Sequence, residues 1–274
     1  MPSTYAHYRF GREVLSGLPE PLQALIRRNL DLYHIGLHGP DLLFYAHPLW
    51  STPVNRVGFA THDRPGQAFF APAAELLSAL DNPPEHLAYL YGFLCHFALD
   101  RACHGYIDDK IAASGARHTE IEMEFDRMLL VQDGLDPLRQ SLTDHIHPSP
   151  HSAAVIADFF PGVTARQVFH AQKSFVFYNR LLLAPGRVKR QIVFGLLGLT
   201  GNYKEMHGLV MSLRPDPRCA DSNRVLSGLY RQAVPVARHL IDSWRDTADG
   251  KVPWDHLYRY TFGSKYIPLE ESDP

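Results

Sequence analysis

Histidine and carboxylate recur at one spacing near the middle of this chain. His96, Asp100 and His104 follow at every fourth position, and His118 and Glu122 are again four apart. On an α-helix, residues four apart share a face. One stretch therefore presents three donors together and a second presents two. Imidazole nitrogen and carboxylate oxygen are the usual protein ligands of zinc and neighbouring divalent metals. With 16 histidines and 29 acidic residues in 274 positions, one or two such pairs arise by chance, so the number of pairs proves nothing. Their position carries more. His96/Asp100, His104/Asp108 and His118/Glu122 all fall within residues 96–122, and the first pair lies in the most apolar stretch of the chain. A buried carboxylate is costly unless a cation or good donors meet it. A metal meets that need at Asp100; Arg101 is adjacent but points to a different face.

Other polar groups give weaker signals. His34 and His38 are four apart, with the turn at Gly36 between them. His47 sits between an aromatic run and Pro48. His145, His147 and His151 lie in a Pro/Ser-rich stretch and read as solvated. Cys95 and Cys103 flank His96 and His104, but helix neighbours point about 100° apart, so packing is their expected role. Arg187, Lys189, Arg190, Arg214 and Arg218 make the C-terminal half more basic, a feature that could attract an anionic headgroup or phosphate. There is no Gly-rich phosphate loop, no G-x-S-x-G elbow and no CxxC pair, so nucleophilic serine or cysteine catalysis has no motif behind it.

The elements that must hold these residues are helices. Apolar residues at three-to-four spacing predict a helix over 19–35. A loop follows, and the proline- and glycine-containing stretch 48–66 reads as an ordered loop. Further helices are expected at 68–80, 84–112, 117–132, 151–160, 163–183, 187–207 and 222–248. Pro84 sits where a first helical turn tolerates proline. No run of alternating strand residues appears. The expected fold is all-α, one multi-helix domain over residues 1–250 with a tail over 251–274.

Composition agrees with a globular protein. Apolar residues make up 45% and charged residues 20%, which excludes disorder and fibrous repeats. A net charge of -2 is not that of an obligate nucleic-acid binder, and no stable nucleic-acid complex is expected. Three cysteines cannot make a disulfide framework. With no signal-peptide pattern at the start and no apolar run long enough to span a bilayer, a cytoplasmic location is the expectation. Apolar surface on 163–183 and 222–248 could support a homodimer.

Taken in order, the candidate residues resemble a known family. His7 comes first, then Gly39-Pro-Asp41 with Phe44-Tyr45, then His62 before Phe69-Phe70, then His96-x3-Asp100-x3-His104 and His118-x3-Glu122. This order is similar to that of the zinc-dependent phospholipase C enzymes over roughly residues 1–125, and also to the related trinuclear-zinc single-strand nucleases. The resemblance implies an all-α hydrolase that cleaves phosphodiesters on the glycerol side with two or three zinc ions, or another divalent metal. It implies that Asp41, His62, His96 and Asp100 hold one ion, that His104, His118 and Glu122 hold a second, and that His7 with Asp100 contributes to a third. Asp41 is implied as the catalytic base or water-positioning group. Glu122 resembles the phospholipases more than the nucleases, which tend to place aspartate there.

Three departures accompany the resemblance. The gap from Asp100 to His104 is shorter than in the family. The stretch from Asp41 to His62 is longer, leaving His47 as a rival for that place. Secreted members use a processed amino terminus as a ligand, and here only removal of Met1 would free the Pro2 amine. The expected function is a metal-dependent phosphodiesterase of phospholipase C type acting on a phospholipid-like or other small phosphodiester. Two alternatives stand beside it. One is an HD-like metal phosphohydrolase, suggested by His62-Asp63, or a nuclease; the other is a non-catalytic helical protein stabilised by metal.

Overall fold

Pro84 opens the helix around which the others are arranged. In the computed structural model, which describes residues 4–201 and 203–268, this helix runs unbroken over Pro84–Ser114 and ends at Gly115 in the left-handed region. It is apolar around most of its circumference, and Leu90, Phe93, Leu94 and Phe97 are fully buried, so neighbours cover it on several sides. In chain order the helices are α1 (Thr4–Ser16), α2 (Glu20–Arg28), α3 (Leu30–Gly36), α4 (Pro53–Asp63), α5 (Gln67–Ala79) and the central α6 (Pro84–Ser114). They continue with α7 (His118–Gln132), α8 (Pro150–Ala157), α9 (Ala165–Leu182), α10 (Arg187–Leu199), α11 (Tyr203–Met206), α12 (Ala220–Asp242) and α13 (Trp244–Ala248). Among the described residues there is no strand, only isolated bridges such as Pro65 with Thr261. The fold is all-α, as expected.

Helices α1, α3 and α12 pack directly on α6. The crossing of α3 depends on a glycine pair. A Cβ on Gly36 would lie 2.2 Å from the Tyr89 carbonyl oxygen, and one on Gly92 would lie 2.2 Å from the Tyr33 oxygen, so only glycine permits the approach. After α3 a 3-10 turn, Gly39–Ala46, lies over α6; Gly39 takes φ +49, and a Cβ there would strike the His96 ring. The same turn is covered by α4 and α9. Helix α1 is docked from α7, where the buried Asp126 carboxylate accepts from the backbone N–H groups of Tyr5 and Ala6. A carboxylate on a helix N-terminus also meets the positive end of its dipole.

Several expectations change here. The helix expected over 19–35 is two, broken at Asn29, where φ is -126. The expected loop 48–66 contains α4, because Pro53 begins that helix rather than breaking one. Thr52 and Asn55 form a reciprocal capping box around it. The stretch 187–207 ends its main helix at Leu199, with Gly201 in the left-handed region. Residues 251–267, expected as a tail, return to the core. Tyr258 and Phe262 are fully buried and pack around Phe97, because a large ring left in water forfeits its burial energy.

Candidate metal centre

Helix α6 delivers His96, Asp100 and His104 along one face, and α7 delivers His118 and Glu122. Helix α1 brings His7, the 3-10 turn brings Asp41, and α4 brings His62. All eight expected residues converge. Their donor atoms form three groups: Asp41, His62 and His96; His7, His96 and Asp100; and His104, His118 and Glu122.

Asp100 joins them. Its Oδ1 lies 3.1 Å from His7 Nε2 and 3.7 Å from His104 Nε2, and its Oδ2 lies 3.1 Å from His96 Nε2 and 3.5 Å from His62 Nε2. Asp41 approaches His62 Nε2 at 3.0 Å and His96 Nε2 at 3.7 Å. Glu122 approaches His118 at 3.1 Å and His104 at 3.5 Å. Among the described residues every ion-pair partner of these three buried carboxylates is a histidine.

Three of the imidazoles are oriented by backbone carbonyls. His62 Nδ1 meets the Gly58 oxygen at 3.2 Å, His96 Nδ1 meets the Leu37 oxygen at 3.3 Å, and His104 Nδ1 meets the Phe262 oxygen at 3.1 Å. A carbonyl only accepts, so in each ring Nδ1 carries the proton and Nε2 turns toward the carboxylates. In the neutral ring that Nε2 is a lone pair. A lone pair facing carboxylate oxygens is repulsive unless a positive charge lies between. Metal-ligating histidines are held in this way, with the remote ring nitrogen hydrogen-bonded and the other free to ligate.

The protonation balance points the same way. Burial lowers His96, and the pull of Asp100 and Asp41 does not restore it, so the ring is neutral. Burial also works against protonated His62, but Asp41 and Asp100 outweigh it and raise the group to about 10. Burial would raise Asp41, Asp100 and Glu122, yet the surrounding histidines hold all three below the ordinary carboxylate range. The cluster therefore keeps three anions in a buried place. His7 Nδ1, His96 Nε2, His118 Nε2 and Glu122 Oε2 are buried there without a hydrogen-bond partner. Orphaned buried polar atoms are rare in native proteins. Divalent cations among these donors would satisfy the atoms that face one another, and the residues present fit such a group.

The family model for zinc-dependent phospholipase C matches residues 6–173, more than half of the chain and all eight residues of the cluster. The chain belongs to the zinc-dependent phospholipase C family. Comparison with curated proteins and with solved structures gave no match. The family match reaches past the expected limit near residue 125 into α9. The Pro2 amine, the other expected donor, lies outside the described residues.

This phospholipase C-family chain adds a support from beyond the matched region. Ser264 Oγ accepts from the Gly105 N–H at 2.9 Å and donates to the Arg101 carbonyl at 2.7 Å. An α-helix pairs those two backbone groups with each other, so the hydroxyl bridges one rung of the α6 ladder beside His104. With Phe262 holding the His104 ring, residues 262–264 form a strap across that end of the site. The four-residue gap from Asp100 to His104 is thus a continuous helical turn braced from outside.

The remaining histidines fall elsewhere. His47 stacks on Trp50 at 5.3 Å and faces His170 at 5.2 Å, and it belongs to none of the donor groups. His145, expected to be solvated, is buried. It stacks on Tyr8 at 4.0 Å, and its Nε2 lies 2.8 Å from His38 Nε2. His34 packs edge-on against it. Burial, reinforced by neighbouring histidines, holds His38 and His145 well below the usual imidazole value, and burial lowers His34 to about 4. These rings are neutral and pair with each other. Cys95 and Cys103 are buried, as packing residues would be. Asp126, Ser264 and the carbonyls of Leu37, Gly58 and Phe262 had no signal in the sequence, because backbone groups carry none and the partners of all but Gly58 are distant in the chain.

Proposed function

We propose that this protein is a zinc-dependent phosphodiester hydrolase of phospholipase C type. The observation that supports it best is the set of imidazoles pinned by backbone carbonyls, with Nε2 atoms converging on three buried carboxylates that have no lysine or arginine partner among the described residues. Asp41, His62, His96 and Asp100 would hold one ion, His104, His118 and Glu122 a second, and His7 with Asp100 would contribute to a third. Bound zinc supplies Lewis acidity, which lowers the pKa of water toward neutrality and offsets charge developing on phosphoryl oxygens.

The chain's own residues set the stage for that chemistry. The three carboxylates impose negative charge that draws and holds the cations. The carbonyl contacts fix the proton on Nδ1 and leave Nε2 as the atom that would ligate, and on His62 the Nε2 proton that Asp41 and Asp100 hold there in the metal-free protein would give way to zinc. Asp41 acts by orienting water rather than as a strong base, since His62 and His96 hold its carboxyl in the ionised, weakly basic range. His62 and His118 are the more exposed members, so substrate approaches from their side, while α6 and the 3-10 turn exclude water from the other.

The test is metal content of chelator-free protein beside turnover of a soluble phosphodiester. The expected result is two or three zinc per chain, with hydrolysis abolished by chelation and restored by zinc. One tightly held ion without turnover would instead assign a structural site. Cleavage confined to nucleotides or single-stranded nucleic acid would assign a nuclease or HD-like activity.

A further inference from the structure

Between Asp158 and Glu205 the chain carries no acidic residue and seven basic ones, although the whole protein has a net charge of -2. This stretch forms α9 and α10, consecutive helices that each expose apolar as well as basic side chains. On α10, Val188, Ile192, Leu196 and Leu199 follow at helical spacing and are 71%, 58%, 49% and 87% exposed. On α9, Phe177 is 60% exposed. These side chains are not needed inside, because α10 rests on a small core of its own made by Ala184, Val193, Leu197 and Val210.

Beside Phe177 lies an open hollow of about 380 Å³, lined by Pro148, Lys173, Val176, Phe177, Arg180 and Leu181. Lys173 and Arg180 stand two helical turns apart at its ends, above an apolar floor. Among the described residues neither has an acidic partner within ion-pair distance, and neither does Arg187.

We infer that the outer face of α9 and α10 docks on an anionic bilayer, with the apolar side chains at the acyl–headgroup boundary and Lys173, Arg180 and Arg187 among the phosphates. An amphipathic helix with basic flanks binds a membrane surface through these two contributions together. A second copy of the chain is the poorer occupant. A two-fold contact would set this face against itself, apposing cations with no acid between them. The inner side of α9 places Phe175 against Tyr45 and His38, at 4.7 and 4.9 Å, on the turn that carries Asp41. The docking helix thus also packs on the turn that carries Asp41. That the bilayer supplies the substrate rests on the proposed activity; the docking itself does not.

The test is co-sedimentation of the full chain, with chelator present, on vesicles of phosphatidylcholine alone or mixed with phosphatidylglycerol. The expected result is binding to the mixed vesicles only, weakened by added salt. At about 1 kcal/mol per basic residue, the pair K173E/R180E lowers partitioning roughly tenfold or more, and I192E/L196E abolishes it. Both pairs keep the circular dichroism and soluble-diester turnover of the parent. Failure of the parent to bind, equal binding to neutral vesicles, or binding unaffected by both pairs would overturn the inference. So would a dimer that I192E/L196E dissolves, which would give the face to a second copy. Diester cleavage without vesicle binding sinks the docking alone; vesicle binding without diester cleavage sinks the hydrolase reading alone.

Discussion

Two groups of buried histidines are neighbours in this protein, and consecutive residues belong to each: His7 to the candidate metal centre, Tyr8 to the stack on His145. Both groups are largely buried, and burial alone disfavours the imidazolium in either. They differ in their companions. Three carboxylates stand among His7, His62, His96, His104 and His118, and two of them, Asp41 and Asp100, raise His62 to about 10 despite its burial. His38 and His145 face other histidines, remain neutral and hydrogen-bond to each other. A buried histidine is therefore not by itself a sign of metal binding. Carboxylates packed against it, with the far ring nitrogen pinned to a carbonyl, make the difference.

Removing the carboxylate that links the donor groups should break the contrast most severely. Asp100→Asn is expected to lower phosphodiester turnover roughly 100-fold or more, since even outer-shell partners of metal ligands are worth 10–100-fold. Metal content measured by plasma mass spectrometry should fall with it. Full metal occupancy in this variant would remove the distinction between the groups.

The next largest effect lies in the pH dependence of the metal-free protein. His62 is raised from 6.5 to about 10 in the folded state, so its stabilisation is fully present below pH 6.5 and is lost as pH rises toward 10. The depressed carboxylates act in the opposite sense, and their stabilisation is lost as pH falls below the ordinary carboxylate range. Thermal unfolding in chelator should therefore show stability declining by a few kcal/mol between pH 6.5 and 10. Zinc should remove that decline by taking the place of the His62 proton. A flat profile in chelator would show that His62 is not held by Asp41 and Asp100.

Ser264→Ala sharpens the comparison from outside the matched region. Loss of the hydroxyl frees α6 from the strap and lets His104 shift against Phe262, with an expected loss of about tenfold in zinc affinity. Competition with a chromophoric chelator measures it. Smallest is His145→Gln in the neutral group. It should reduce stability by about 1 kcal/mol through the altered contact with His38, seen in urea unfolding, and leave zinc content unchanged. Loss of zinc in that variant would merge the two groups.

How far these differences could be read in the sequence depends on locality. The donors on α6 and α7 show in the spacing of four, because helical geometry makes it a spatial statement. His7, Asp41 and His62 stand on three separate elements, and only the order of a family ties them together. Prolines misled at 48–66, since Pro53 starts α4 where a composition-based reading sees a breaker. His145 misled for a related reason: a Pro/Ser-rich segment looks solvated, yet Ser149 N–H is held by Gln172 and the segment packs inward. The strap at 262–264 acts through a carbonyl and a hydroxyl, far along the chain from the helix it braces, and neither has a pattern to recognise.

The carbonyl that orients His104 belongs to a residue 158 positions later. Translation proceeds from the amino end, so α6 and α7 are made while the His104 ring still lacks its anchor. The helices and most donors can be in place in an emerging chain whose site is not yet finished. Of the three imidazoles pinned by carbonyls, His104 is therefore the last to gain its anchor as the chain is made, since the Gly58 and Leu37 carbonyls precede the rings they hold.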